Sequence, residues 1–242
     1  MFLALDTETG GIGPDKSLLT LYAVALDDNL NPVAFSGDDF KVAGGILELD
    51  LKLKPDDGIY RVTGEALGIN GINLSEHDKE AIPCKKAGTL LYEFLERCYR
   101  INIALRDLRR DLQRASPSTG PAFTGPASPG GLEPGTKPDP DDLRLVPVGH
   151  NVAFDCRVLT NCLVSPGSWS KFVSYRVLDT CSIARFMTLV GLIPKGTSCG
   201  MEGLAEYFGV KAEGELHEAK YDTMLCAGVL RKMIRLARGP LA

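Results

Sequence analysis

The chain has no uninterrupted apolar run long enough to cross a bilayer, and Asp6 falls too early for the apolar core of a secretory signal. Membrane-spanning and exported classes are therefore set aside. The expectation is a soluble intracellular protein, cytoplasmic, or nuclear in a eukaryote, with no membrane partner. Cysteine is sparse and unpatterned: seven residues, an odd number, without a Cys-x-x-Cys pair. That excludes a disulfide framework and a zinc ribbon and predicts free thiols in a reducing compartment. Positive charge is also short. Lys and Arg number 27 against 31 Asp and Glu, a formal net charge of −4, unusual for a protein that grips long duplexes through phosphate contacts alone. There is no internal repeat.

What is present is a set of acidic stretches in a fixed order. Phe2-Leu3-Ala4-Leu5-Asp6-Thr7-Glu8-Thr9-Gly10-Gly11 is an apolar run breaking into a glycine pair, the pattern of a buried strand leaving a sheet. On a strand, Asp6 and Glu8 project from one face. Two carboxylates so placed either open a loop or hold a divalent ion between them. Leu145-Val146-Pro147-Val148-Gly149 reads as a second buried strand, followed by His150-Asn151-Val152-Ala153-Phe154-Asp155 with Asp155 on the first turn of a helix. There it either complements the helix dipole or faces the first strand's end across a cleft. A third stretch runs from His217 to Asp222 into an apolar helical segment. The spacing turns the two residues apart on a continuous helix, so His217 is expected on the preceding loop and Asp222 on the helix.

These blocks resemble the DEDD superfamily of 3′-to-5′ exonucleases in its histidine-containing (DEDDh) branch. Leu5-Asp6-Thr7-Glu8-Thr9-Gly10 resembles the first motif, Gly149-His150-Asn151-Val152-Ala153-Phe154-Asp155 the second, and His217-Glu218-Ala219-Lys220-Tyr221-Asp222 the third. Leu67-Gly68-Ile69-Asn70-Gly71-Ile72-Asn73 and Val177-Leu178-Asp179-Thr180 are softer matches to a loop and a later strand end. The resemblance spans nearly the whole chain apart from one insertion. It implies a ribonuclease H-like α/β fold, a mixed five-stranded sheet flanked by helices. The implied activity is hydrolysis of phosphodiester bonds at the 3′ end of DNA or RNA, releasing nucleoside monophosphates.

A phosphodiester is anionic, and hydroxide attacks it slowly unless charge is neutralised on nucleophile, non-bridging oxygens and leaving oxygen. Two cations roughly 3.5–4 Å apart can supply this, and hard oxygen ligands suit Mg²⁺, with Mn²⁺ a substitute. By the resemblance, Asp6 bridges both ions, Glu8 and Asp222 complete one shell, and Asp155 holds the other ion directly or through water. His217 is the implied general base, an imidazole being the side chain that titrates nearest neutrality. Thr9, Gly10, Ile72, Asn73, Asn151 and Phe154 are the implied substrate contacts, with His77 on the same loop as Ile72 and Asn73. The alternatives are ordinary: turn or cap for Asn73 and Asn151, core for Ile72 and Phe154, solvated surface for His77. His150 reads as a structural histidine, Trp169 and Phe172 as core residues, and Asp179 as a helix cap.

Two basic runs, Arg97 to Arg114 and Arg231, Lys232, Arg235 and Arg238, could track a nucleic-acid backbone or form solvated helix faces. The favoured ligand is a single-stranded 3′ end. A homodimer, a polymerase-associated exonuclease subunit and a catalytically silent nucleic-acid-binding protein of the same fold remain as alternatives.

Strands are expected at 2–7, 18–26, 46–54, 144–149 and 175–179, and helices near 86–113, 153–163, 181–190, 200–208 and 219–237. The stretch 116–140 is rich in Pro, Gly, Ser and Thr and nearly devoid of large apolar residues. It is expected to be a disordered insertion within a single domain spanning 1–242.

Overall fold

The computed structural model describes residues 1–34, 45–115, 143–212, 214 and 217–239. The insertion expected at 116–140 lies outside the described residues. Six strands form one sheet: β1 (Phe2–Thr9), β2 (Leu18–Leu26), β3 (Glu48–Lys54), β4 (Ile82–Pro83), β5 (Val146–Gly149) and β6 (Leu178–Asp179), in the order β4-β3-β2-β1-β5-β6. The sheet is mixed. β2 runs antiparallel to β1 and β3, whereas β1, β5 and β6 are mutually parallel, as are β3 and β4.

The helices are α1 (Gly64–Asn70), α2 (Leu74–Glu80), α3 (Cys84–Ala115), α4 (Ala153–Cys162), α5 (Pro166–Phe172), α6 (Thr180–Leu189), α7 (Met201–Phe208) and α8 (Ala219–Arg238). The alternation of β1 divides the core. Leu3 and Leu5 pack with Leu91, Phe94 and Leu95 of α3, Leu159 of α4 and Trp169 and Phe172 of α5. Ala4, on the opposite face, packs with Tyr22 and Val24 of β2 and Cys226 and Leu230 of α8. A third cluster, including Met187, Leu204 and Val229, joins α6, α7 and α8.

The mixed sheet flanked by helices is as expected, with a sixth strand added. β4 has only two residues, Ile82 and Pro83, paired to Leu53 and Lys54, too few to leave a period-2 pattern. β6 is shorter than the expected 175–179, because only Leu178 and Asp179 pair with β5 while Tyr175 is exposed. α1, α2 and α5 were not expected. Each is seven residues long and begins at a side-chain cap, Thr63, Asn73 and Ser165 respectively, so short-range hydrogen bonding rather than a long apolar face marks them. All seven cysteines are free thiols, and among the described residues no helix is long and apolar enough to cross a membrane.

The basic run on α3 is largely absorbed by exposed pairs, Arg100 with Glu96, Arg109 with Asp28 and Arg110 with Asp107. Those arginines form a solvated helix face.

Candidate active site

Central β1 carries the first two carboxylates. Since Ala4 faces α8, the two-residue period brings Asp6 and Glu8 to that same side, near the start of α8. The β1–β2 register slips between Glu8 and Thr9, a bulge of the kind that re-aims side chains at a sheet's functional end.

Asp155 arrives from the other side of the sheet. β5 accompanies β1 only as far as the pair Ala4 and Val148, and then turns into α4. Past that point Asp155 substitutes for a strand neighbour: its Oδ1 accepts the Thr7 N–H at 3.0 Å and the Thr7 hydroxyl at 2.6 Å. The turn depends on Gly149, where a Cβ would lie 2.8 Å from Val152 side-chain atoms and 3.1 Å from the Leu5 carbonyl oxygen. Asn151 then adopts a left-handed conformation, φ 59°, and donates its N–H to Asp179 Oδ1 at 2.7 Å. Asp179 also caps α6 through the N–H groups of Cys181 and Ser182, as its position before Thr180 leads one to expect.

The third element is the start of α8. His217 lies in the preceding turn and Asp222 in the first helical turn, the arrangement inferred from their spacing. His217 is left-handed, φ 65°, and its N–H donates to Asp222 Oδ2 at 3.1 Å. Ligand atoms of Glu8, His217 and Asp222 all lie within 4.8 Å of one another.

The electrostatics are those of crowded, poorly solvated anions. Burial pushes Asp6 well above the usual carboxylate range, reinforced by Asp155, Glu8 and Asp222. Burial, with Asp222 and Asp155, pushes Glu8 up to about 8. Asp155 is pushed up to about 6 by burial, opposed by the hydrogen bonds from Thr7. Burial also raises Asp222, with the charge of His217 opposing. Among the described residues no Lys or Arg forms an ion pair with any of the four. Lys220 instead pairs with Glu48 at 3.2 Å and lies over the Tyr22 ring. Four hard carboxylates without a Lys or Arg ion pair among the described residues fit divalent cations such as Mg²⁺ or Mn²⁺.

His217 sits between two cavities. One, of about 560 Å³, is lined by Glu8, Ile72, Asn73, His217 and Lys220 among others. The other, of about 360 Å³, is lined by Asp6, His150, Met201, Glu202, His217 and Asp222 among others. Ile72 and Asn73 therefore face the site, while Thr9, Gly10, Asn151 and Phe154 are not among the described lining residues of either cavity.

Thr9 and Gly10 instead anchor the strand end: Gly10 donates to Ser17 O and accepts from Thr63 N–H, both at 2.8 Å, and the Thr9 carbonyl accepts from Asn70 Nδ2. Phe154 is half-buried on α4, and Asn151 serves the turn. Asn73 also caps α2, its side chain accepting from Ser75 N–H at 3.0 Å. His77, which lines the same cavity as Ile72 and Asn73, is not solvated surface: it is buried, with Nε2 2.9 Å from Leu53 O and an edge-on contact to Tyr60. His150 is structural as expected, its Nδ1 2.9 Å from Thr180 Oγ1.

Two contributors escaped sequence reasoning. Thr7 stands between two acids, and its role follows only once strand alternation turns it toward α4. Glu202, on short α7, adds negative charge near Asp222, and nothing in its local sequence signals this.

No protein-family model matches the sequence, and no characterised protein matches it by sequence comparison. Solved structures match over nearly its full length. Escherichia coli exonuclease I in complex with a 5cy-dA13 oligonucleotide agrees with a TM-score of 0.57 at 18% identity, covering 98% of this chain and 41% of that one. The zinc-ion-bound E. coli exonuclease I–ssDNA complex gives 0.57 at 19% identity, covering 99% and 41%. Exonuclease I from Methylocaldum szegediense gives the same TM-score, identity and coverages. The chain thus spans about two fifths of the length of these structures, 41% in each. Over that length it has the exonuclease I fold.

Proposed function

We propose that the protein is a metal-dependent 3′-to-5′ exonuclease of the DEDDh type, acting on single-stranded ends and releasing nucleoside monophosphates. The observation that carries this reading is the convergence of Glu8, His217 and Asp222 within 4.8 Å, beside Asp155, whose charge raises both Asp6 and Glu8, and beside Asp6, which Glu8 and Asp222 raise in turn. The fold shared with exonuclease I supports it, as do the oligonucleotides bound in the E. coli structures. Single-stranded DNA is accordingly the first substrate to test.

Asp6, Glu8, Asp155 and Asp222 would hold two divalent cations, which when bound neutralise the phosphodiester and lower the pKa of the attacking water. The chain's own groups do the rest. Asp222 fixes the turn that carries the imidazole by accepting the His217 N–H. The exposed His217 ring takes the proton from the attacking water and, facing solvent, can pass it on. Asp155 is held by Thr7 with Oδ1 engaged, leaving Oδ2 as the oxygen available to a ligand. Ile72 and Asn73, across the cavity from His217, would border the terminal nucleotide.

The test is digestion of a 5′-labelled single-stranded DNA, with its 3′ end free or blocked, in Mg²⁺ or EDTA, beside a matched RNA. The expected result is a descending ladder that needs Mg²⁺ and a free 3′ hydroxyl. Degradation that depends on a free 5′ end, or that persists in EDTA, would overturn the proposal.

A further inference from the structure

At the opposite end of the sheet from the carboxylates, α8 borders a second, strongly basic depression. Its cavity of about 600 Å³ is lined by Lys211, Arg231, Lys232, Arg235 and Arg238, with Asp28 the one acidic side chain among the described lining residues. Asp28 is already engaged by Arg109 and the N-terminal amine, so the depression is positive in a chain whose formal charge is −4.

The walls are built. A Cβ at Gly228 would lie 2.6 Å from Val210 Cγ1, so glycine there lets the turn after α7 seat directly on α8. Gly209 ends α7 in the left-handed conformation, and Val210 N–H donates to Ala205 O at 2.9 Å. Lys211 follows from this fixed turn. On the other side, Asp27 Oδ1 accepts the N–H groups of both Asn29 and Asn31. Leu30, left-handed at φ 61°, is buried in the core against α8. Asn31 Oδ1 accepts from Arg231 Nη1 at 3.0 Å and so sets its direction. Lys211, Lys232, Arg235 and Arg238 are exposed and have no ion pair among the described residues.

We infer that this depression is a second nucleic-acid contact, which binds the phosphodiester backbone of a single strand without reading its bases. Arg231 to Arg238 extend over roughly 10 Å of helix, which matches a chain of repeating phosphates better than one isolated anion. Among the described lining residues there is no aromatic side chain, so they offer no platform for base stacking, which is how single-strand binders gain base contacts. Its apolar lining residues are all tied to the core, Leu30 as a buried member of one cluster and Val210 and Ile234 as partly buried residues packed against the clusters, and this argues against insertion into lipid. Lying about 13 Å along α8 from Asp222, it engages nucleotides away from the reacting end. That assignment rests on the nuclease reading, although binding can be measured without turnover.

The experiment compares the full chain with two double variants of exposed residues, Arg235→Ala/Arg238→Ala and Lys211→Ala/Lys232→Ala, each checked for wild-type circular dichroism and melting. Affinity for fluorescent oligothymidylates of ~4 and ~20 nucleotides is measured in EDTA across a salt series, and Mg²⁺-dependent cleavage of the short strand in parallel. Each double variant should bind the long strand about tenfold or more weakly, with a salt slope reduced by roughly 1.4 for two lost phosphate contacts. Short-strand affinity and any cleavage should stay unchanged. If no strand is cleaved yet these binding results hold, the nuclease reading fails and the second contact stands. Unchanged long-strand affinity in both variants overturns the inference, as does phosphatidylserine vesicle binding stronger than oligonucleotide binding and lost in the same variants.

Discussion

Thr7 donates twice to one oxygen of Asp155, its N–H at 3.0 Å and its hydroxyl at 2.6 Å to Oδ1. Both donors favour the charged carboxylate against a burial that raises its pKa. They also fix which oxygen remains for a metal. Partners that orient a metal ligand are typically worth about 10–100-fold in affinity or activity. Thr7→Val keeps the shape and the N–H but loses the hydroxyl, so Mg²⁺ affinity and kcat should fall within that range while KM for the oligonucleotide changes little. Thr7→Ser should restore most of the loss. A serine variant as impaired as the valine variant would mean that packing, not hydroxyl donation, is the source.

Metal binding should depend steeply on pH. Glu8 is raised to about 8 by burial and its acidic neighbours, so below that pH a cation must displace its proton. Mg²⁺ affinity should therefore rise as pH increases from 6 to about 8, with proton release visible by calorimetry in buffers of different ionisation enthalpy. The stability of the metal-free protein should move the other way. A carboxyl whose folded pKa exceeds its unfolded value makes the folded state bind more protons, so stability is greatest at low pH and falls as pH rises toward the folded pKa. Thermal melts in EDTA should show Tm dropping between pH 5 and about 8, less so for Glu8→Gln. A pH-independent Mg²⁺ affinity across this range would contradict the electrostatic description.

The parts of the fold legible in the sequence are those with many residues voting together. β2 reads as a strand because eight of its nine residues are buried, and α8 because its apolar positions recur over 20 residues. The convergence of Asp6, Glu8, Asp155 and Asp222, with His217 on the turn before α8, was legible because strand ends and helix starts fix where short side chains point. The substrate contacts were less so. Thr9, Gly10 and Asn151 stand beside those motifs, but their backbone groups hold turns together, a role set by partners such as Ser17, Thr63 and Asp179 that are distant in sequence. His77 was misread because its partner, the Leu53 carbonyl, lies across β3, and no local pattern marks a histidine that is buried by a strand.

Gly149 connects stability to the position of Asp155. Its added methyl would press on Val152 at 2.8 Å and on the Leu5 carbonyl at 3.1 Å, with β1 behind and the start of α4 in front. Gly149→Ala should destabilise the fold by about 1–3 kcal/mol, the usual cost of overpacking a well-filled interior. It should also weaken Mg²⁺ binding by displacing α4. Gly68→Ala, where nothing lies within 4 Å of the added atom, is the matched control and should not lower the urea midpoint. Equal midpoints for wild type and Gly149→Ala would show that β5 and α4 adjust at no cost.

His217 carries two roles that substitution can separate. Its left-handed backbone, φ 65°, costs a non-glycine residue roughly 1–2 kcal/mol, and its N–H secures Asp222. Its ring is the proposed base. Alanine removes the ring and keeps the backbone cost, whereas glycine removes the ring and relieves much of that cost. His217→Gly should therefore fold at least as well as His217→Ala, bind Mg²⁺ through the remaining carboxylates, and lose about 10²–10⁴-fold in kcat, the usual contribution of a positioned base. Added imidazole should recover part of the loss in the glycine variant, where the ring's space is open to solvent, with a pH dependence that follows the added base. If His217→Gly turns over within about threefold of wild type at saturating Mg²⁺, proton transfer belongs to another group, and His217 is retained for the turn that anchors Asp222.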